Sequence, residues 1–128
     1  MARLKVLVVE DEPVQLKILT AGLAAEGFEV VVARDGVQAV GMVRKEQPAL
    51  VLLDIGLPGG DGYVVLQRLK ALSQSSILPV IAVSARAAET ERDKMLSMGA
   101  DDYFQKPVTL PALVARINQL LADRKSVV

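Results

Sequence analysis

The chain has 128 residues, 52% of them hydrophobic, enough for one compact domain with a continuous core and too few for two. Its 15 lysines and arginines balance 15 aspartates and glutamates, so no whole-molecule field draws it to nucleic acid or to an anionic membrane. Cysteine and histidine are both absent, which removes disulfides, thiolate chemistry, Ser-His-Asp catalysis and every Cys or His metal ligand; carboxylate oxygens remain, and they suit a hard cation such as magnesium.

Met1-Ala2-Arg3-Leu4-Lys5 leads directly into an apolar, β-branched run at 4–9, read as a strand buried on both faces, that ends in Glu10-Asp11-Glu12. Pro13 and the steps Leu16, Leu19, Leu23 predict a helix over about 13–25, with Glu12 serving its start and Gly27 stopping it. A second strand is predicted at 28–33. Val37, Val40, Met42 and Val43 predict a helix over about 37–46 that stops before Pro48. The run Leu50-Val51-Leu52-Leu53 reads as a third strand, which delivers Asp54 to the loop Ile55-Gly56-Leu57-Pro58-Gly59-Gly60.

Asp61 is expected to cap a third helix whose apolar side is Val64, Val65, Leu69 and Leu72, before the loop Ser73-Gln74-Ser75-Ser76. A strand at 79–83 ends in Ser84, a helix over about 88–98 stops at Gly99, and a shorter strand at 102–105 ends in Lys106-Pro107. Thr109 is the expected cap of a fifth helix, with Pro111 in its first turn and Leu110, Leu113, Val114, Ile117, Leu120 and Leu121 at helical spacing. The expectation is a single domain over 1–128, with a core at about 4–122 and a short tail at 123–128. No apolar run approaches the roughly 20 residues of a membrane span, so the protein is expected to be cytoplasmic, with no membrane partner.

Strands that alternate with helices imply a doubly wound parallel sheet of five strands with five helices on its two faces. The ligand site of such a sheet lies beyond the carboxyl ends of the strands, and the polar residues that end these strands all belong to that edge. Glu10, Asp11 and Asp54 would repel one another there without a divalent cation. Magnesium answers the repulsion, with one oxygen each from Asp11 and Asp54, a backbone carbonyl from the loop after Asp54, and Glu10 acting through a water. Asp54 is then placed as a nucleophile towards phosphorus, with Lys106 neutralising charge and the Ser84 hydroxyl donating to a phosphoryl oxygen. A fixed Lys106-Pro107 peptide, for which cis is one option, would aim the lysine.

These residues closely resemble the receiver domain of bacterial two-component response regulators, over essentially the whole chain. The resemblance is carried by Val8-Val9-Glu10-Asp11-Glu12-Pro13, Leu53-Asp54-Ile55 with Leu57-Pro58 and Asp61-Gly62, Ser84-Ala85, and Gly99-Ala100-Asp101-Asp102-Tyr103 with Lys106-Pro107. It implies the flavodoxin-like, CheY-like strand order 2-1-3-4-5. It also implies that Asp54 takes a phosphoryl group, with magnesium, from a phosphohistidine of a sensor histidine kinase or histidine phosphotransfer protein. The switch it implies moves Ser84 towards the phosphoryl group and Tyr103 into the vacated space, remodelling the face of the fourth helix, fifth strand and fifth helix for an output protein or effector domain. Such a domain promotes chemistry at its own aspartate and turns over no free substrate. Direct nucleic-acid contact is not expected of it.

Two departures stand out. Gly56, two residues after Asp54, replaces the larger side chain usual in receivers, and Arg86, two after Ser84, could block water or hold phosphoryl charge; together they predict an altered acyl-phosphate lifetime. Asp101, Asp102 and Arg116 are shared with receivers that dimerise, which leaves a homodimer open, although Ala112 and Leu121 stand where those often carry charge. Two other functions compete. A pseudo-receiver would bind partners without phosphorylation and would show a broken acidic pocket; a small magnesium-dependent aspartyl-phosphate hydrolase would need substrate space that 128 residues do not supply.

Overall fold

The computed structural model describes residues 3–57, 62–72 and 78–126, with side chains as far as 123. Five strands, β1 (Lys5–Val9), β2 (Glu29–Ala33), β3 (Leu50–Asp54), β4 (Val80–Ser84) and β5 (Asp102–Gln105), form one parallel sheet in the order β2-β1-β3-β4-β5. The helices are α1 (Pro13–Ala25), α2 (Gly36–Glu46), α3 (Gly62–Ala71), α4 (Ala88–Ser97) and α5 (Leu110–Ser126). This is the doubly wound architecture expected from the alternation, and α5 continues into the residues expected to form a short tail.

The strands alternate their side chains between two cores, as a pleated backbone must. Leu7, Val9, Val51, Leu53, Val80 and Ala82 face one core with residues of α2, α3 and α4, among them Val43, Leu66 and Met95. Val6, Val8, Leu50, Leu52, Ile81 and Val83 face the other, with Leu16 and Leu23 of α1 and Leu113, Ile117 and Leu121 of α5. Central strands covered on both faces carry no polar residue until their last position, which is why β3 and β4 read as unbroken apolar runs ending in Asp54 and Ser84. Burying a leucine or isoleucine side chain contributes roughly 1.5–3 kcal/mol, so these two sets dominate the hold on the sheet edge.

Local signals set the helix ends. Glu12 caps α1, accepting from the Val14 and Gln15 amides at 3.1 and 2.8 Å. Gly27 and Gly99 take the positive φ values, +94° and +107°, that follow a helix C-terminus. Asp35 caps α2 through the Gln38 amide at 2.8 Å, a cap the hydrophobic spacing did not reveal. The helix ends before Pro48 with Gln47 left-handed at φ 48°. Asp61, Pro58, Gly59, Gly60 and the serine loop lie outside the described residues.

Candidate functional site

Each residue of the predicted constellation sits on, or one residue beyond, a rung of the sheet. The Glu10 amide donates to the Ala33 carbonyl at 3.0 Å, Ile55 to Val83 at 2.9 Å and Lys106 to Ser84 at 2.8 Å, so the ladder continues through the site and fixes its backbone. Asp54 closes β3 and Ser84 closes β4, both buried.

The sheet order brings together residues up to 96 positions apart. Lys106 Nζ donates to Glu10 Oε1 and to Asp54 Oδ2, both at 3.1 Å. Oxygens of Glu10, Asp11 and Asp54 lie within 4.8 Å of one another, with Asp11 half-buried and the other two buried. The other Glu10 oxygen accepts from the Asp11 and Glu12 amides at 3.1 and 3.2 Å, and Asp54 Oδ1 accepts from Gly56 N at 2.9 Å. Beneath them a cavity of about 20 Å³ reaches from Glu10, Asp54 and Lys106 into the apolar side chains of Leu19, Leu52 and Leu113.

The electrostatics follow from this crowding. Burial pushes the Glu10 carboxyl above the ordinary carboxylate range, and the Asp54 charge adds to it, against the Glu12 amide and Lys106. Burial works against the Lys106 ammonium too, but its bonds to Glu10 and Asp54 outweigh that and raise it, so it is charged at neutral pH. One lysine faces a trio of carboxylates, and oxygen donors within one ion's reach are the donor set a hard divalent cation takes. The residues present therefore fit magnesium.

The remaining predicted residues are placed differently. Ser84 Oγ accepts from the Arg86 amide at 3.2 Å and so is turned to its own loop. The Lys106-Pro107 peptide is cis. Tyr103 is 2% exposed, packed in the core with its hydroxyl donating to the Arg86 carbonyl. A Cβ on exposed Gly56 would stand 3.5 Å from Asp54 Oδ1, an ordinary contact. The Arg86 side chain is turned to α3, its Nη1 donating to the Tyr63 hydroxyl at 2.9 Å. Asp101 is bonded to Lys70 and the Val80 amide, and Asp102 to Arg92 and Arg116, so the charges that suggested a dimer are paired within the chain. Asp102, with an arginine from α4 and another from α5, and Gly62 were not singled out for these contacts, since only the fold shows which elements meet.

The family model for the response regulator receiver domain matches residues 6–118. The phosphate regulon transcriptional regulatory protein PhoB of Rhizobium meliloti is 40% identical over 121 residues, which cover 94% of this chain and 53% of that protein. The protein PilH of Pseudomonas aeruginosa is 36% identical over 118 residues, 92% of this chain and 98% of PilH. The chain thus spans about half the length of PhoB and nearly all of PilH. Among solved structures, the receiver domain of a Pseudomonas aeruginosa sensor histidine kinase, which has a magnesium ion coordinated in its active-site cleft, superposes with a TM-score of 0.86 at 30% identity, covering 94% of this chain and 99% of that one.

Proposed function

The chain belongs to the response regulator receiver domain family, and from that premise we propose that it is the phosphoacceptor of a two-component phosphorelay, with Asp54 as the acceptor. The observation that carries the reading is the meeting of Asp54 with Lys106 and two further carboxylates at the carboxyl edge of the sheet. A carboxylate oxygen of Asp54 forms a bond to phosphorus as the bond from phosphorus to the donor's imidazole nitrogen breaks, and the electron pair leaves with the imidazole. Lys106 stays charged throughout, facing the oxygens on which negative charge collects. Ser84 keeps its hydroxyl hydrogen free to donate, because its oxygen is the acceptor in its bond to Arg86.

Asp11, Asp54 and the Gly56 carbonyl would hold magnesium, with Glu10 acting through water, and the ion would supply positive charge to the transferring phosphoryl oxygens. A receiver of known structure that has magnesium in its cleft supports this assignment. The phosphodonor is a sensor histidine kinase or histidine phosphotransfer protein. Ser84 and Tyr103 are the switch, and the α4-β5-α5 face is the output surface for a protein or effector domain. Pairing Asp101, Asp102 and Arg116 requires no second copy of the chain. No helix among the described residues is long and apolar enough to cross a membrane, which is compatible with a cytoplasmic place.

Intact mass after incubation with magnesium and acetyl phosphate tests the reading. A gain of one phosphoryl group, lost in Asp54→Ala, is the expected result. No gain, together with no response to beryllium fluoride, would assign the chain to phosphorylation-independent binding instead.

A further inference from the structure

The connection between β4 and α4 holds a network that phosphoryl transfer does not require. Arg86 is bonded at three points. Its amide donates to Ser84 Oγ, its carbonyl accepts from the Tyr103 hydroxyl, and its guanidinium donates to the Tyr63 hydroxyl at 2.9 Å. Tyr63, in the first turn of α3, in turn donates to Glu91 Oε1 of α4, and Lys94 Nζ lies 4.0 Å from the centre of its ring.

The magnitudes decide which tie matters. The Arg86 side chain is 64% exposed and its charge stands 3.7 Å from Glu91, a pairing worth little by itself. The Glu91 side chain is only 10% exposed, and a carboxylate so placed must be hydrogen-bonded to remain there. The Tyr63 hydroxyl supplies that bond while accepting from Arg86, so one oxygen links the buried carboxylate to the loop, each bond polarising the other.

We propose that Tyr63 and Glu91 are positioning residues: they anchor Arg86, and through its amide hold the Ser84 hydroxyl turned into its loop. The anchor opposes the turn of Ser84 towards a phosphoryl group, and so sets how readily the site accepts one. This rests on the phosphoacceptor reading of Ser84 and Asp54. It also gives Arg86 a role distinct from shielding the acyl phosphate, since its side chain is engaged by α3 and α4.

The chain has two tyrosines, Tyr63 and Tyr103, and both belong to the network, so protein labelled with 3-fluorotyrosine yields one fluorine resonance from each. Titration with beryllium fluoride and magnesium reads the affinity for a phosphoryl stand-in. Tyr63→Phe, which keeps the ring, and Glu91→Gln each raise that affinity roughly two- to tenfold, the range that one net hydrogen bond spans. Arg86→Ala does the same, and Tyr63→Phe combined with Arg86→Ala goes no further than Arg86→Ala alone, because both act on one path. Unchanged affinity in the single variants, or effects that add in the double, would overturn the proposal.

If the wild type takes neither acetyl phosphate nor beryllium fluoride, the phosphoacceptor reading fails and the ligand-free protein decides the anchor. Tyr63→Phe then moves the Tyr103 resonance, and it no longer does so in an Arg86→Ala background. A Tyr103 resonance indifferent to Tyr63→Phe would overturn the anchor.

Discussion

Glu10 shows how a site can be built at a cost to the fold. Its carboxyl is raised above the ordinary value, first by burial and then by Asp54. A carboxyl with a folded-state pKa above its unfolded one contributes stability below the unfolded value, and that contribution is lost as pH rises through the folded value. In metal-free protein the ionised carboxylate therefore opposes folding at neutral pH. Glu10→Gln is expected to melt higher than the wild type at pH 7 without divalent cation, with the difference shrinking towards about pH 4, where the wild-type carboxyl also protonates. A variant that melts lower at pH 7 would show that the bond to Lys106 outweighs burial. Glu10, Asp11, Asp54, Ser84 and Lys106 were legible in the sequence because each ends an apolar run in a polar residue. The anchoring by Tyr63 and Glu91 was not, since a tyrosine after Gly62 and a glutamate in a charged helix look like ordinary surface residues until α3 and α4 are packed.

At the level of elements, the start of α3 is governed by contact with backbone. A Cβ on Gly62 would stand 2.1 Å from the Ile55 carbonyl oxygen, whereas one on Gly56 meets nothing closer than 3.5 Å. Gly62→Ala is therefore expected to lower stability by about 1–3 kcal/mol, the usual cost of forcing atoms into an occupied site, while Gly56→Ala leaves it nearly unchanged. Urea unfolding of the two variants checks this, and equal midpoints would sink it. Sequence reading could name Gly62 only as part of a motif, because the contact belongs to two residues seven apart brought together by the third strand and helix. Helix α1 was more legible: Glu12 and Pro13 are its own start signals, and both act within one turn.

For the whole molecule, a cation that binds the folded chain and not the unfolded one must stabilise it by mass action. Magnesium at about a hundred times its dissociation constant adds roughly 2.7 kcal/mol, which for a chain of this size is on the order of 10 °C in melting temperature. Asp11→Ala should lose most of that rise. Melting curves that ignore magnesium would mean that Glu10, Asp11 and Asp54 do not form its site. The sequence by itself determined the five β-α units, the apolar faces and the polar residue at each strand end, because periodicity, caps and stops act over a turn or a strand. Only the tertiary structure decided that Arg86 is held by Tyr63 and Glu91, that Asp102 is held by Arg92 and Arg116, and that Tyr103 is packed inward. Those partners come from different elements, and a side chain chooses among distant partners only after the sheet order has set which elements are neighbours.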